Sequence, residues 1–158
     1  MSVAFRRESD DEHKEPTFEW PIPPGPNLVT PRGLRLLGEG VAALDAAIEA
    51  ETDAEAKAKL QRQLRYLGTR KATAEVQEPP AEGSVGIGSR VRYRLNGADR
   101  EVTIVGHDEA DPTVGRIAFT APLGRALLGA EVEDMVEFQG REDAITVLAA
   151  APNPEAQA

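Results

Sequence analysis

The chain has 158 residues, 18 basic and 27 acidic, with a formal net charge of −9 at neutral pH. This length holds one ordinary domain plus an appendage, and the acidity argues against free-standing binding to DNA or RNA, which depends on neutralising phosphates. The chain contains no cysteine, which excludes disulfides and thiolate metal sites, and no apolar run long enough for a signal peptide or a membrane span. A cytoplasmic protein without a membrane partner is therefore expected.

Residues 1–29 are predicted to form a flexible arm. Charged residues dominate as far as Glu19, and four prolines between positions 21 and 26 then disfavour a helix. Phe18, Trp20 and Ile22 alternate with polar or proline residues. The sequence leaves open whether these side chains stay disordered or strap onto the domain or a partner.

Residues 30–76 are predicted to form an antiparallel helical hairpin, a short coiled coil. Thr30 and Pro31 are typical of a helix N-cap and first helical position, and residues 52–55 have the S/T-x-x-E form of a capping box. Two apolar rows at heptad spacing require the helices to pack against each other. The first row is Leu34, Leu37, Val41, Leu44 and Ile48; the second is Leu60, Leu64, Leu67 and the stem of Lys71.

Four carboxylates crowd the bend of this hairpin: Glu49, Glu51, Asp53 and Glu55. One interpretation is ordinary helix-end chemistry, since acidic side chains in a first turn complement the helix dipole. The other is an acidic tip that contacts a metal or a basic surface elsewhere. The residues alone do not decide between them.

The second half is predicted to be a separate β-rich domain of α+β class. Residues 77–84 are a linker rich in proline and glycine, and residues 85–149 carry period-two apolar patterns that predict an antiparallel sheet. Asn96-Gly97 predicts a tight hairpin turn, and residues 122–128 one short helix ended by Gly129. Residues 150–158 are predicted to be a disordered tail.

Two motifs in this domain resemble the C-terminal domain of the GreA/GreB family of transcription elongation factors. Residues 105–112 (VGHDEADP) are similar to the family signature I-V-G-x-D-E-A-D-P, and residues 121–129 (APLGRALLG) to S-P-[LI]-[GA]-R-A-L-[LI]-G. The pattern Asn27-x-x-Thr30-Pro31-x-Gly33 looks like the start of the family's coiled coil. The resemblance covers residues 27–148.

The resemblance implies an FKBP-like C-terminal domain that docks at the secondary channel of bacterial RNA polymerase, and a coiled coil that enters the channel. The implied polymerase-binding residues are Asp108, Glu109, Asp111, Pro112, Pro122 and Arg125. The acidic tip would help the active-centre Mg²⁺ of the polymerase to hold water for cleavage of backtracked RNA. The chain itself would be no enzyme, with no catalytic residue, metal or cofactor of its own, and would meet nucleic acid only within the elongation complex.

The resemblance leaves two alternatives open, and a monomer is expected in each. Cleavage-active members carry the tip sequence G-D-x-x-E-N-x-E-Y, which has no counterpart at residues 49–55. Short-coil relatives of the Rnk type (regulators of nucleoside diphosphate kinase) bind polymerase as antagonists without stimulating cleavage. An FKBP-type prolyl isomerase is a remote alternative, because a fold does not confer an activity.

Overall fold

The structure is a computed structural model that describes residues 19–158. Two helices of equal length come first: α1, Pro31–Ala50, and α2, Ala54–Thr73. Thr30 caps α1 as predicted, because its hydroxyl accepts a hydrogen bond from the amide of Gly33. Each helix has 20 residues, so at about 1.5 Å per residue the hairpin is about 30 Å long.

The bend between the helices consists of residues 51–53, and its cap differs from the prediction. Thr52 does not cap α2; Asp53 does, and its carboxylate accepts a hydrogen bond from the amide of Ala56 at 2.9 Å. The helix begins at Ala54, so the residue immediately before it is in position to satisfy the first free amides. The helix cap therefore lies one residue after the predicted one, and it is a single Asp53 cap in place of the predicted capping box.

The two helices pack along the predicted apolar rows. Leu37 and Leu44 are buried on α1, and Gly40 lets α2 approach closely, since a Cβ at Gly40 would lie 3.0 Å from a methyl group of Leu67. Lys71 is exposed, so the second row ends at Leu67. The described structure confirms the helical hairpin.

The predicted flexible arm is ordered in the part that the structure describes. Residues 1–18 lie outside the described residues, whereas residues 19–29, here called the strap, run along the base of the hairpin. Trp20 packs against Tyr66 with ring centroids 5.5 Å apart, and Glu19 pairs with Arg65 at 2.5 Å. Strand β1, Leu28–Val29, pairs in parallel with β2, Glu75–Val76. These contacts correct the arm boundary at residue 29.

The second half forms a five-stranded sheet. Its strands are β3, Ser89–Leu95; β4, Ala98–Val105; β5, Arg116–Ala118; β6, Met135–Phe138; and β7, Arg141–Pro152. Their order in the sheet is β5-β4-β3-β7-β6. The sheet is mixed, because β5 pairs in parallel with β4, and this corrects the purely antiparallel prediction. The chain between these two strands passes through two short 3₁₀ turns, His107–Glu109 and Pro112–Val114, before entering β5 in the same direction as β4.

The predicted disordered tail is ordered. Strand β7 continues to Pro152, and helix α4, Pro154–Gln157, follows it. Asn153 caps α4, and Ala156 is buried. Pairing with β3 explains the order, because the register runs from Ile145 as far as Pro152 and satisfies the backbone of the tail.

The main core lies within this second half. Helix α3, Pro122–Leu127, covers the sheet with Leu127, which is fully buried among Val91, Ile104 and Ile145 in one cluster. In residues 19–158, no helix combines the length and apolar character that crossing a membrane requires. The observed architecture is the predicted α+β arrangement of hairpin and sheet.

Candidate functional site

The acidic tip is built by the bend itself. Glu51 accepts a hydrogen bond from the amide of Asp53 at 3.0 Å, and Asp53 in turn caps α2. Glu49 and Glu55 are exposed on the adjoining helix ends. Two of the four carboxylates therefore have a local role in satisfying backbone amides at the bend. Within residues 19–158, no three histidine or acidic side chains come together as a metal site would need.

Asp108 lies on the first 3₁₀ turn after β4 and faces the end of α2. Its carboxylate accepts a hydrogen bond from Arg70 Nε at 2.7 Å and another from the hydroxyl of Tyr66. The side chain of Arg70 is 4% exposed and that of Asp108 is 14% exposed. Arg70 also donates to the side-chain oxygen of Asn27 at 2.8 Å. A guanidinium this deeply buried requires such partners, because an unpaired buried charge is very costly.

Glu109, the next residue, faces the start of α1. The hydroxyl of Thr30 donates to its carboxylate at 2.5 Å, and Arg32 pairs with the other oxygen at 2.9 Å. The Glu109 side chain is only 2% exposed. The Thr30 hydroxyl both accepts from Gly33 and donates to Glu109, so one side chain caps the helix and binds the turn.

The docking role predicted for Asp108 and Glu109 stays a prediction. Hairpin side chains already bind both carboxylates, and the Glu109 side chain is buried. Arg70 and Arg32 reach the turn from two helices and compensate the two negative charges there. A partner that bound these carboxylates would compete with the two arginines.

Asp111 and Pro112 are exposed at the far side of the same loop. The Asp111 carboxylate accepts hydrogen bonds from the amide and the hydroxyl of Thr113. Asp111 thereby caps the second 3₁₀ turn. Their exposure is compatible with a docking role, which stays a prediction.

Pro122 and Arg125 lie on the exposed side of α3. Both line a groove of about 400 Å³ together with Phe138 of β6. The helix packs close to the sheet, because a Cβ at Gly124 would lie 2.1 Å from the carbonyl oxygen of Ala118. The docking prediction for Pro122 and Arg125 also stays a prediction, now with a defined groove beside them.

A cleft of about 430 Å³ lies between the strap, α2 and the Asp108 turn. It is lined by Trp20, Pro21, Tyr66, Leu67, His107 and Asp108. Burial raises the pKa of Tyr66 to about 12, and the hydrogen bond to Asp108 is the second largest cause of this shift. The phenol therefore stays protonated at neutral pH and donates to Asp108.

Sequence reasoning missed the partners of the two carboxylates, Asn27, Arg32, Tyr66 and Arg70. Asn27 holds the end of α2, donating to the carbonyl of Arg70 at 2.7 Å and to the hydroxyl of Thr73 at 3.2 Å. The available signal was the pattern from Asn27 to Gly33, which predicted a helix start but not a contact with a turn far along the chain.

Comparison with known proteins places these elements in a family. The family model described as "Transcription elongation factor, GreA/GreB, C-term" matches residues 80–151. Transcription elongation factor GreA of Chloroflexus aggregans is 38% identical over 92 residues, which are 56% of this chain and 59% of that protein. This alignment spans less than two thirds of the relative.

A longer alignment joins the hairpin to the sheet. Transcription elongation factor GreA of Mesoplasma florum is 34% identical over 118 residues, covering 71% of this chain and 76% of that protein. Among solved structures, GreA factor homolog 1 of Thermus thermophilus matches 80% of this chain and 99% of its own, with 20% identity and a TM-score of 0.38. The extent of the Mesoplasma alignment and the match of the family model show that this chain belongs to the GreA/GreB family of transcription elongation factors.

Proposed function

We propose that this chain binds bacterial RNA polymerase and regulates transcription elongation from the secondary channel. The observation that carries the proposal is the family match over residues 80–151, because it includes all five strands of the sheet except the last residue of β7, together with α3 and its groove. The relatives are named transcription elongation factors. The chain acts in this scheme as a binding protein and supplies no catalytic group of its own.

The docking face is the exposed side of α3. Pro122 and Arg125 border a groove that is also lined by Glu137 and the partly buried Phe138, so a proline, a cation, a carboxylate and the edge of an aromatic side chain lie together. Proteins commonly dock through such mixed patches, in which arginine and aromatic side chains contribute most of the affinity. Asp111 and Pro112 are exposed as well, and the Asp111 carboxylate is available to a basic partner surface.

The hairpin then occupies the channel. Its length of about 30 Å follows from two helices of 20 residues each, and its far end is the acidic bend. Glu49 and Glu55 are exposed there and face solvent in the free protein. In the channel the acidic groups approach the Mg²⁺ of the polymerase, a hard cation that prefers carboxylate oxygens.

Within this function, channel occupation without cleavage is the form that the tip favours. Glu51 and Asp53 each accept a hydrogen bond from a backbone amide at the bend, so a metal would compete with these amides for the two carboxylates. Stimulation of transcript cleavage is the second form, and the exposed Glu49 and Glu55 are the observation that supports it. The two forms share the binding step and differ in the fate of backtracked RNA.

A binding assay with bacterial core polymerase tests the common step. The wild-type chain should associate at micromolar concentration, and an Arg125→Glu variant should lose most of the association. Arg92→Glu is the matched control, because Arg92 is exposed on strand β3 outside the α3 groove and carries the same charge change. No association of the wild type, or equal loss in both variants, would refute the docking face.

A transcript-cleavage assay on stalled elongation complexes separates the two forms. Channel occupation predicts no shortening of the RNA and inhibition of a cleavage-competent GreA factor added to the same complexes. Shortening that disappears in a Glu49→Gln/Glu55→Gln variant would instead establish cleavage stimulation. The double variant should be compared with a Thr52→Ala variant, which changes the bend without removing a charge.

A further inference from the structure

We propose that Asp108 and Glu109 form a clamp that fixes the direction of the hairpin relative to the sheet. The clamp is defined as these two carboxylates with their partners Arg70 and Tyr66 on α2 and Thr30 and Arg32 at the start of α1. Asp108 and Glu109 are positioning residues. The effect of the clamp on the polymerase rests on the proposed function, whereas the clamp itself is a property of the free protein.

The two carboxylates of the clamp contact two different helices. They diverge from one 3₁₀ turn, so that Asp108 holds α2 and Glu109 holds the start of α1. A single contact at the base would let the hairpin rotate in any direction. Two contacts on two different helices leave only rotation about the line that joins them. The turn belongs to the sheet domain, because it directly follows β4.

Each ion pair of the clamp has one buried partner. The side chains of Glu109 and Arg70 are 2% and 4% exposed, and those of their partners Arg32 and Asp108 are 21% and 14% exposed, so solvent and salt screen these pairs less than surface pairs. Charge-assisted hydrogen bonds of this kind are short and directional. Surface pairs, in contrast, hold geometry poorly because water competes for both partners.

The backbone beside the turn supports the same reading. A Cβ at Gly106 would lie 2.5 Å from the carbonyl oxygen of Leu28, so the strap and the turn are in direct backbone contact. On the other side of the hairpin base, Arg35 of α1 donates to the carbonyl of Ala158 beyond α4 at 2.8 Å. The clamp therefore lies among contacts that join the same two parts of the chain.

The consequence follows from the length of the hairpin. With helices of 20 residues, a rotation of about 10° at the base moves the tip by about 5 Å. Misplacement of a functional group by about 1 Å can already reduce a reaction about 100-fold. A rigid base is thus needed if the bend is to reach one place in a channel, whether it blocks that place or serves chemistry there.

Spin-label distance measurement on the full chain tests the clamp. The chain has no native cysteine, so Thr52→Cys at the bend and Glu142→Cys at the exposed start of β7 give a unique labelled pair. The distance distribution should be narrow in this background, and its width should at least double when Asp108→Ala/Glu109→Ala is added. Asp111→Ala is the matched control, because it removes a carboxylate of the same loop whose contacts are to Thr113.

Thermal unfolding of the sheet domain accompanies each measurement. The clamp variant should keep a folded sheet while the distribution broadens, which separates lost direction from lost fold. If the variant unfolds, Asp108→Asn and Glu109→Gln, which keep the shape of each side chain, should give an intermediate broadening with the sheet intact. A distribution that is broad before any clamp substitution, or equally broad with Asp111→Ala, would overturn the clamp.

Polymerase binding distinguishes the clamp from a docking role for the same residues. The clamp predicts that the dissociation constant of the Asp108→Ala/Glu109→Ala variant for core polymerase lies within about 10-fold of the wild-type value. Its effect on elongation or cleavage should be lost. Loss of association with an unchanged distance distribution would make these residues docking residues and overturn the clamp. If the wild type fails to bind, the proposed function fails, and the distance measurement still decides the clamp.

Discussion

The ion pair between Arg70 and Asp108 should contribute a measurable coupling energy. Arg70 makes charge-assisted bonds of 2.7 Å to Asp108 and 2.8 Å to Asn27, and such bonds contribute about 1.5–3 kcal/mol each. Removing either partner of the pair leaves the other nearly buried, so each single alanine variant should lose about 3 kcal/mol of unfolding free energy. The double variant should lose about 4 kcal/mol, which gives a coupling of about 2 kcal/mol.

Urea unfolding of the two single variants and the double variant measures this cycle. Trp20 is the only tryptophan of the chain and packs on Tyr66, so its fluorescence reports on the base of the hairpin. A coupling of about 2 kcal/mol corresponds to about a 30-fold change in the unfolding equilibrium.

An exposed pair of nearly the same geometry serves as the control. Arg94 Nε lies 2.8 Å from Asp99, and the two side chains are 53% and 51% exposed. Hydrogen bonding to Arg94 lowers the pKa of Asp99, yet solvent screens such a pair, so its cycle should show no measurable coupling. Equal coupling in the two cycles would refute the reasoning, because burial would then not be what distinguishes the Arg70 pair.

Three further outcomes are expected. The pKa of Tyr66 is raised from its ordinary value of 10.0 to about 12, so the protonated phenol stabilises the folded state fully below pH 10, and this stabilisation should be lost as the pH rises towards 12. Phenolate absorbance and the unfolding free energy, measured at each pH, check this. Gly124→Ala should destabilise the sheet domain by about 1–3 kcal/mol in thermal unfolding, because its Cβ meets a backbone carbonyl, whereas Gly68→Ala, with open space in α2, should not destabilise it. Asp53→Ala should lose about 1 kcal/mol of hairpin stability by urea unfolding and Thr52→Ala almost none, since only Asp53 caps α2; the reverse order would restore the predicted capping box.

Features set by neighbouring residues were predictable from the sequence. The start of α1 at Pro31 follows from the hydroxyl of Thr30 and the fixed backbone angle of proline. The turn at Asn96-Gly97 follows from positive φ values of 51° and 75°, which this residue pair tolerates best. Both depend on atoms a few residues apart, so the local pattern contained the information.

Strand pairing was less predictable, because it joins distant segments. The short strand β5 could pair in either direction, and the long path through two 3₁₀ turns makes it parallel to β4. The end of β7 gave a weak alternating pattern and contains Pro152, yet pairing with β3 orders it. The order comes from the partner strand, which no local pattern reports.

The roles of Asp108 and Glu109 show where the sequence stops being informative. The residues themselves identified the family motif and an acidic turn. Only the tertiary structure placed Arg70, 38 residues away, and Thr30, 79 residues away, against the two carboxylates. A sequence does not distinguish an exposed carboxylate from a buried one. The two differ in the charges and the solvent around them, and these depend on which distant segments the fold brings together.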